Sequence, residues 1–228
     1  MNISINNTEF QVIFNREELI EKALTRNTFL VALNANKFSI NKPKFWENLQ
    51  NSFNLFGYID GIGANLRLGV RHKRIPGVEL WLNILNHLKC NTKVLIIGGI
   101  PEVNNKAVDK LKSQFPTLKF FGIDGYVNIR EIIDLANSVK PNYIFIALGS
   151  PKQEEIAITL KKSCKMDFSA MGIGGSLDVF TGRVSRTPLF FRKLGLEGLV
   201  RILLQPKKRI KNLNLIFKMF KTPINIVK

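Results

Sequence analysis

Between Phe29 and Met171 the chain alternates short apolar runs with segments of helical periodicity, and the runs break off at asparagine, aspartate or glycine. Phe29–Leu33 stops at Asn34, Leu55–Ile59 at Asp60-Gly61, and Lys93–Ile97 at Gly98-Gly99. Tyr143–Leu148 stops at Gly149 and Phe168–Met171 at Gly172, while Lys119–Ile123 is a further run of the same kind. The spacing predicts helices over 41–53, 78–88, 101–115, 129–139 and 151–162, with Pro101 as a first-turn residue. Continuously apolar strands separated by helices need cover on both faces. The expectation is therefore an α/β fold: a Rossmann-like, mainly parallel sheet with helices on both faces. Ligands in such sheets bind beyond the carboxyl ends of the strands, which is where Asn34, Asp60, Gly98, Gly149 and Gly172 fall.

A chain of 228 residues with 45% hydrophobic and 22% charged residues can bury one sizeable core. No repeat of fixed period and no low-complexity tract interrupts it. Met1–Asn7 lacks a basic region followed by an apolar stretch, and no apolar run approaches the ~18 residues of a membrane span. A cytoplasmic protein, with room for attachment to a membrane surface, is the expectation. Cys90 and Cys164 have no paired spacing and read as free thiols, and His72 and His87 stand apart from any second metal-type ligand, as surface or capping residues.

The net charge of +17 is concentrated at one end. From Arg183 onward there are twelve Lys and Arg against the single acid Glu197. This divides the chain into an α/β domain, 1–182, and a basic amphipathic C-terminal appendage, 183–228. Between Leu189 and Leu204, aromatic and aliphatic residues alternate with Arg192, Lys193 and Arg201; Pro206 then precedes Lys207, Lys208, Arg209 and Lys211. A second apolar-basic stretch runs from Leu213 to Lys221. Such composition suits helices packed on the body with a solvated basic face, or interfacial helices on anionic lipid, where each basic residue at the surface contributes ~1 kcal/mol. The membrane surface is the expected partner of Arg192, Arg201, Lys207, Lys208, Arg209 and Lys211. On this division, a chain cut after Gln205 keeps a folded body.

Two loops carry the densest chemical signal: Gly149-Ser150-Pro151-Lys152-Gln153-Glu154, and Gly172-Ile173-Gly174-Gly175-Ser176-Leu177-Asp178. Glycine-rich strand ends are either plain turns or phosphate cradles whose backbone N–H groups face an anion. Neither is a dinucleotide fingerprint, since Leu177 stands where a third glycine is required, and no P-loop ending is present. Asp60, at the end of an apolar strand and before Gly61-Ile62-Gly63, reads either as a turn or cap residue or as a carboxylate presented into the crevice.

The order Gly-Ser-Pro-Lys-Gln-Glu, then Gly-Ile-Gly-Gly-Ser-Leu-Asp, then Gly-Arg-Val-x-Arg-x-Pro at Gly182–Pro188 resembles the WecG/TagA/CpsF glycosyltransferases (glycosyltransferase family 26), which build bacterial surface polymers on lipid carriers. The resemblance runs from about Val31 to Lys211. It implies an inverting transfer of N-acetylmannosamine, its uronic acid or glucose from a UDP-sugar to a polyprenyl-diphosphate-linked sugar. It makes Asp60 the general base, Arg74 in Arg74-Ile75-Pro76-Gly77-Val78-Glu79 the partner of the leaving diphosphate, and Gln153 a sugar-binding residue. Asn34, Gly61, Gly98, Gly99, Gly149, Gly172, Gly174 and Gly175 would line the substrate site. Ala32 departs from the family's Thr-x-Asn pattern and removes one hydroxyl. No Asp-x-Asp occurs, so no metal or other cofactor is expected, the UDP-sugar being a substrate. Self-association and a basic membrane-targeting appendage are also implied. A basic nucleic-acid-binding protein and another Rossmann-like nucleotide enzyme are the alternatives; Phe at helical spacing and the lack of a nucleic-acid module argue against the first.

Overall fold

The computed structural model describes residues 1–185 and 218–227. The apolar runs form the parallel centre of a nine-stranded sheet. Its strands are β1 (Asn2–Ile5), β2 (Thr8–Ile13), β3 (Thr28–Leu33), β4 (Asn54–Ile59), β5 (Lys93–Gly98), β6 (Lys119–Ile123), β7 (Tyr143–Ala147), β8 (Ser169–Gly172) and β9 (Ile224–Val227). They lie in the order β6-β5-β7-β8-β3-β4-β2-β1-β9. All neighbours from β6 to β2 run parallel, and β1 is antiparallel to both β2 and β9.

Helices cover both faces, as continuous apolar strands require. On one side α3 (Pro43–Ser52), α4 (Ile62–Leu68), α7 (Ile129–Val139) and α8 (Lys152–Ser163) bury Trp46, Leu68, Ile132 and Leu160 against the sheet. On the other, α1 (Arg16–Leu24), α5 (Gly77–His87), α6 (Pro101–Gln114) and the short α9 (Ser176–Phe180) bury Leu19, Trp81, Leu111 and Leu177. The chain leaves β5 through α6 toward one edge and leaves β7 through α8 toward the other. That divergence makes β5/β7 a topological switch point, the place where sheets of this kind bind their ligands.

The first residues form a two-residue hairpin. Ile5 faces Thr8, and Asn6 and Asn7 both take positive φ, 49° and 67°, the turn that matches strand twist and that asparagine tolerates. Near the other end of the chain, residues 218–227 pack on the body. β9 pairs with β1 along its length, Met219 is buried, and Arg67 of α4 donates from Nε to Met219 O at 3.2 Å and from Nη2 to Thr222 O at 2.9 Å. An appendage that is separate from residue 183 to the terminus therefore does not describe this stretch, which is part of the main sheet. Arg192, Arg201, Lys207, Lys208, Arg209 and Lys211, and the motif end at Arg186–Pro188, lie outside the described residues.

Candidate active site

The parallel register brings the strand ends named above to one edge of the sheet. Asn34 follows β3 and Asp60 follows the adjacent β4, so their side chains meet. Asn34 Nδ2 donates to Asp60 Oδ2 at 3.1 Å, while Asn34 Oδ1 accepts from Lys37 N at 3.2 Å and so caps the short helix α2 (Ala35–Phe38). The backbone N–H groups of Asp60 and Gly61 both donate to Leu33 O, which ties the Asp-Gly turn to the end of β3.

The segment before α5 closes over the same place. Ile75 N donates to Ile59 O at 2.8 Å, and Gly77 N, at the start of α5, donates to Asp60 Oδ1 at 3.0 Å. Asp60 thus accepts one hydrogen bond on each oxygen and satisfies an N–H that the first turn of α5 leaves over. The cap that sequence allows is real, but it serves α5 rather than the next helix. The carboxylate is half-buried, and so is Arg74, which sits immediately before the residue pinned to β4.

Gln153 lies elsewhere in this edge, almost fully buried. Its Nε2 donates to Glu154 Oε1 at 2.8 Å and to Ser150 Oγ at 3.3 Å, and its Oε1 accepts from Gly174 N at 3.3 Å. Both ends of the amide are therefore committed to shaping the two glycine loops. The partner of this arrangement was not visible in the sequence: Lys37, 2% exposed, forms an ion pair with the fully buried Glu154 and also donates to Ser150. Buried charges of this kind persist only when paired. The pair joins α2, whose cap holds Asp60, to the first turn of α8.

The glycines divide into two groups. At Gly98 an added Cβ would stand 2.5 Å from Ala147 O on the adjacent strand, and at Gly172 it would stand 2.0 Å from Gln153 Nε2, so packing alone excludes a side chain. Gly149 and Gly174 take positive φ, 74° and 48°, and with Gly175 have no described atom within 4 Å of such a Cβ. These three border open space above the sheet. Gly99 accepts from Gly125 N at 2.8 Å and so ties the end of β5 to the loop after β6. Four strand steps separate β4 from β5, about 20 Å, so Asp60 and Gly98-Gly99 stand far apart along the carboxyl edge of the sheet.

A cavity of about 630 Å³ opens at the other, N-terminal edge of the strands, lined by Arg26, His87, Asn142, Tyr143 and Asp167 among others. It contains none of the residues expected at the substrate site, though His87 and Cys90 line it. His87 Nδ1 is 2.8 Å from Asn83 O, and His72 stacks on Phe14 with ring centroids 3.8 Å apart. Both cysteines are free.

Residues 1–225 match the family described as Glycosyl transferase WecG/TagA/CpsF family. The protein belongs to that family and is a glycosyltransferase. The N-acetylglucosaminyldiphosphoundecaprenol N-acetyl-beta-D-mannosaminyltransferase of Staphylococcus aureus strain MRSA252 is 32% identical over 220 residues, covering 91% of this chain and 85% of the relative. The enzyme of the same name from strain NCTC 8325 / PS 47 matches to the same extent. The family match includes the N-terminal hairpin and reaches the start of β9, beyond the Val31–Lys211 stretch on which the motifs lie.

Proposed function

We propose that the protein transfers N-acetylmannosamine from its UDP-sugar to the N-acetylglucosamine of a polyprenyl-diphosphate-linked acceptor, with inversion. The acceptor oxygen attacks the anomeric carbon, the bond from that carbon to the diphosphate oxygen breaks, and UDP departs. The acceptor proton passes to Asp60. The observation that carries this assignment is the hold on Asp60: Asn34 Nδ2 and Gly77 N fix one donor on each carboxylate oxygen at the carboxyl end of the sheet. Each oxygen keeps a further lone pair for an incoming hydroxyl. Arg74 is the cation nearest in sequence to the segment pinned over Asp60, and its fork suits a diphosphate. The open backbone at Gly149, Gly174 and Gly175 suits the remaining anionic oxygens. Gln153 acts by shaping these loops, given that both ends of its amide are engaged.

A lipid-linked acceptor presents its diphosphate at a membrane surface, so the protein would work there. No helix among the described residues is long and apolar enough to cross a membrane. Leu66 of α4 and Phe220, on neighbouring segments joined by Arg67, are both exposed, with Lys218 and Lys221 beside Phe220. Apolar and basic groups together suit an anionic interface. The test is a screen of UDP-N-acetylmannosamine, its uronic acid counterpart and UDP-glucose against N-acetylglucosaminyl-diphosphate-polyprenol, read by product mass. Gain of one N-acetylhexosamine only with the first donor is expected, and turnover should survive EDTA. Transfer of another sugar, or of none, contradicts the donor assignment.

A further inference from the structure

Tyr58 lies two residues before Asp60 on β4 and is fully buried. Its hydroxyl has no hydrogen-bond partner among the described residues. Burying such a group without a partner opposes folding, whereas phenylalanine would fill the same volume without that cost. The position of the hydroxyl shows what it can serve. It stands 2.9 Å from the point a Cβ on Gly77 would occupy, and Asp60 Oδ1 stands 3.7 Å from the same point. Gly77 has no positive φ that calls for glycine. Its missing side chain instead leaves room for the phenol and the carboxylate to border one small space.

We propose that Tyr58 is a positioning residue: its hydroxyl donates to Asp60 Oδ1 when the acceptor is bound, fixing the rotation of the carboxylate so that a lone pair faces the acceptor hydroxyl. The inference rests on Asp60 being the base. Hydrogen bonds of this kind are commonly long in the unliganded enzyme and tighten in the complex. Burial pushes the Tyr58 phenol well above its ordinary value, and the nearby Asp60 and Tyr143 push it further, so it remains a donor. Tyr143, from β7, and Asp60 are the titratable groups bearing on it; Met171 from β8 and Trp81 from α5, in the same core cluster, carry no charge. Beyond Asp60, the segment entering α5 brings Arg74, and α5 itself brings Glu79, which pairs with Arg16.

The experiment compares wild type, Tyr58→Phe and Asp60→Asn as full-length proteins, using UDP-N-acetylmannosamine and N-acetylglucosaminyl-diphosphate-polyprenol across pH, with a thermal midpoint for each. Tyr58→Phe should keep or raise the midpoint, lower kcat about tenfold or more, and leave the donor KM within about twofold. A hydrogen bond donated to a carboxylate favours its charged form, so the acid limb of kcat should lie at higher pH in this variant than in wild type. Wild-type kcat with an unmoved limb, while Asp60→Asn is inactive, overturns the role of Tyr58 and leaves Asp60 in place. Full activity of Asp60→Asn overturns the base assignment itself, and this inference with it. A lower midpoint for Tyr58→Phe also overturns it, because the hydroxyl would then have a structural partner.

Discussion

A carboxylate that takes a proton must be held without being used up, and Asp60 meets that condition with one donor on each oxygen. Its position at a strand end followed by glycine was legible in the sequence, because a charged residue closing an apolar run must leave the sheet. The hydrogen bonds that orient it were not legible, since Asn34 and Gly77 lie 26 and 17 residues away and meet it only through the β3–β4 register and the return of the chain before α5. Gln153 illustrates the opposite case. A polar residue in a first helical turn looks available, yet its amide is tied to Ser150, Glu154 and Gly174. Arg74 should behave as a diphosphate partner in the ground state and in the transition state alike. Arg74→Ala is expected to weaken UDP binding about tenfold or more and to lower kcat/KM further, by calorimetric titration and steady-state rates. Unchanged UDP affinity contradicts the assignment.

Among the elements, the apolar strands from β3 to β8 and the longer helices between them were readable to within a residue or two, because periodicity records burial directly, whereas β2 and α1, before Phe29, were not assigned. The short ones were not. α2 and α4 have four and seven residues, too few to display a period. The β1–β2 hairpin did carry a signal, Asn6-Asn7 between alternating residues, while β9 depends on a pairing with β1 from the far end of the chain. The link between α2 and α8 was also hidden, because sequence does not say that Lys37 and Glu154 are buried together. Breaking that pair leaves a carboxylate uncompensated inside the protein. Lys37→Met should cost about 3–5 kcal/mol in urea unfolding, and adding Glu154→Gln should restore most of it. Equal stability of wild type and Lys37→Met would show that the pair does not form.

On the scale of the whole molecule, residues 218–227 are built into the same sheet as the N-terminal hairpin, so the two ends of the described chain support each other. Charge position was visible in the sequence, but the packing of residues 218–227 was not, since an apolar-basic stretch reads alike as an interfacial helix or as a packed one. Removing everything after Gln205 takes away β9, the buried Met219 and both carbonyl acceptors of Arg67. Burial of the Met219 side chain alone is worth about 1.5–3 kcal/mol, so the truncated protein should unfold at markedly lower urea concentration. An unchanged midpoint would show that residues 218–227 do not stabilise the body. Membrane contact is better tested by charge. Replacing Lys207, Lys208, Arg209 and Lys211 with Gln should reduce sedimentation with anionic vesicles by about two decades if three of the four reach the surface, and the wild-type interaction should weaken with salt. Equal sedimentation of both proteins contradicts the membrane role.

The central claim is that the carboxylate of Asp60 takes the acceptor proton. Asp60→Asn preserves shape and hydrogen bonding to Gly77 N but cannot accept that proton. Single-turnover transfer to the lipid-linked acceptor should fall by two or more decades in this variant, about the share that base catalysis supplies, while UDP affinity stays within a few-fold of wild type. Transfer at near the wild-type rate, with UDP still bound, would contradict the account.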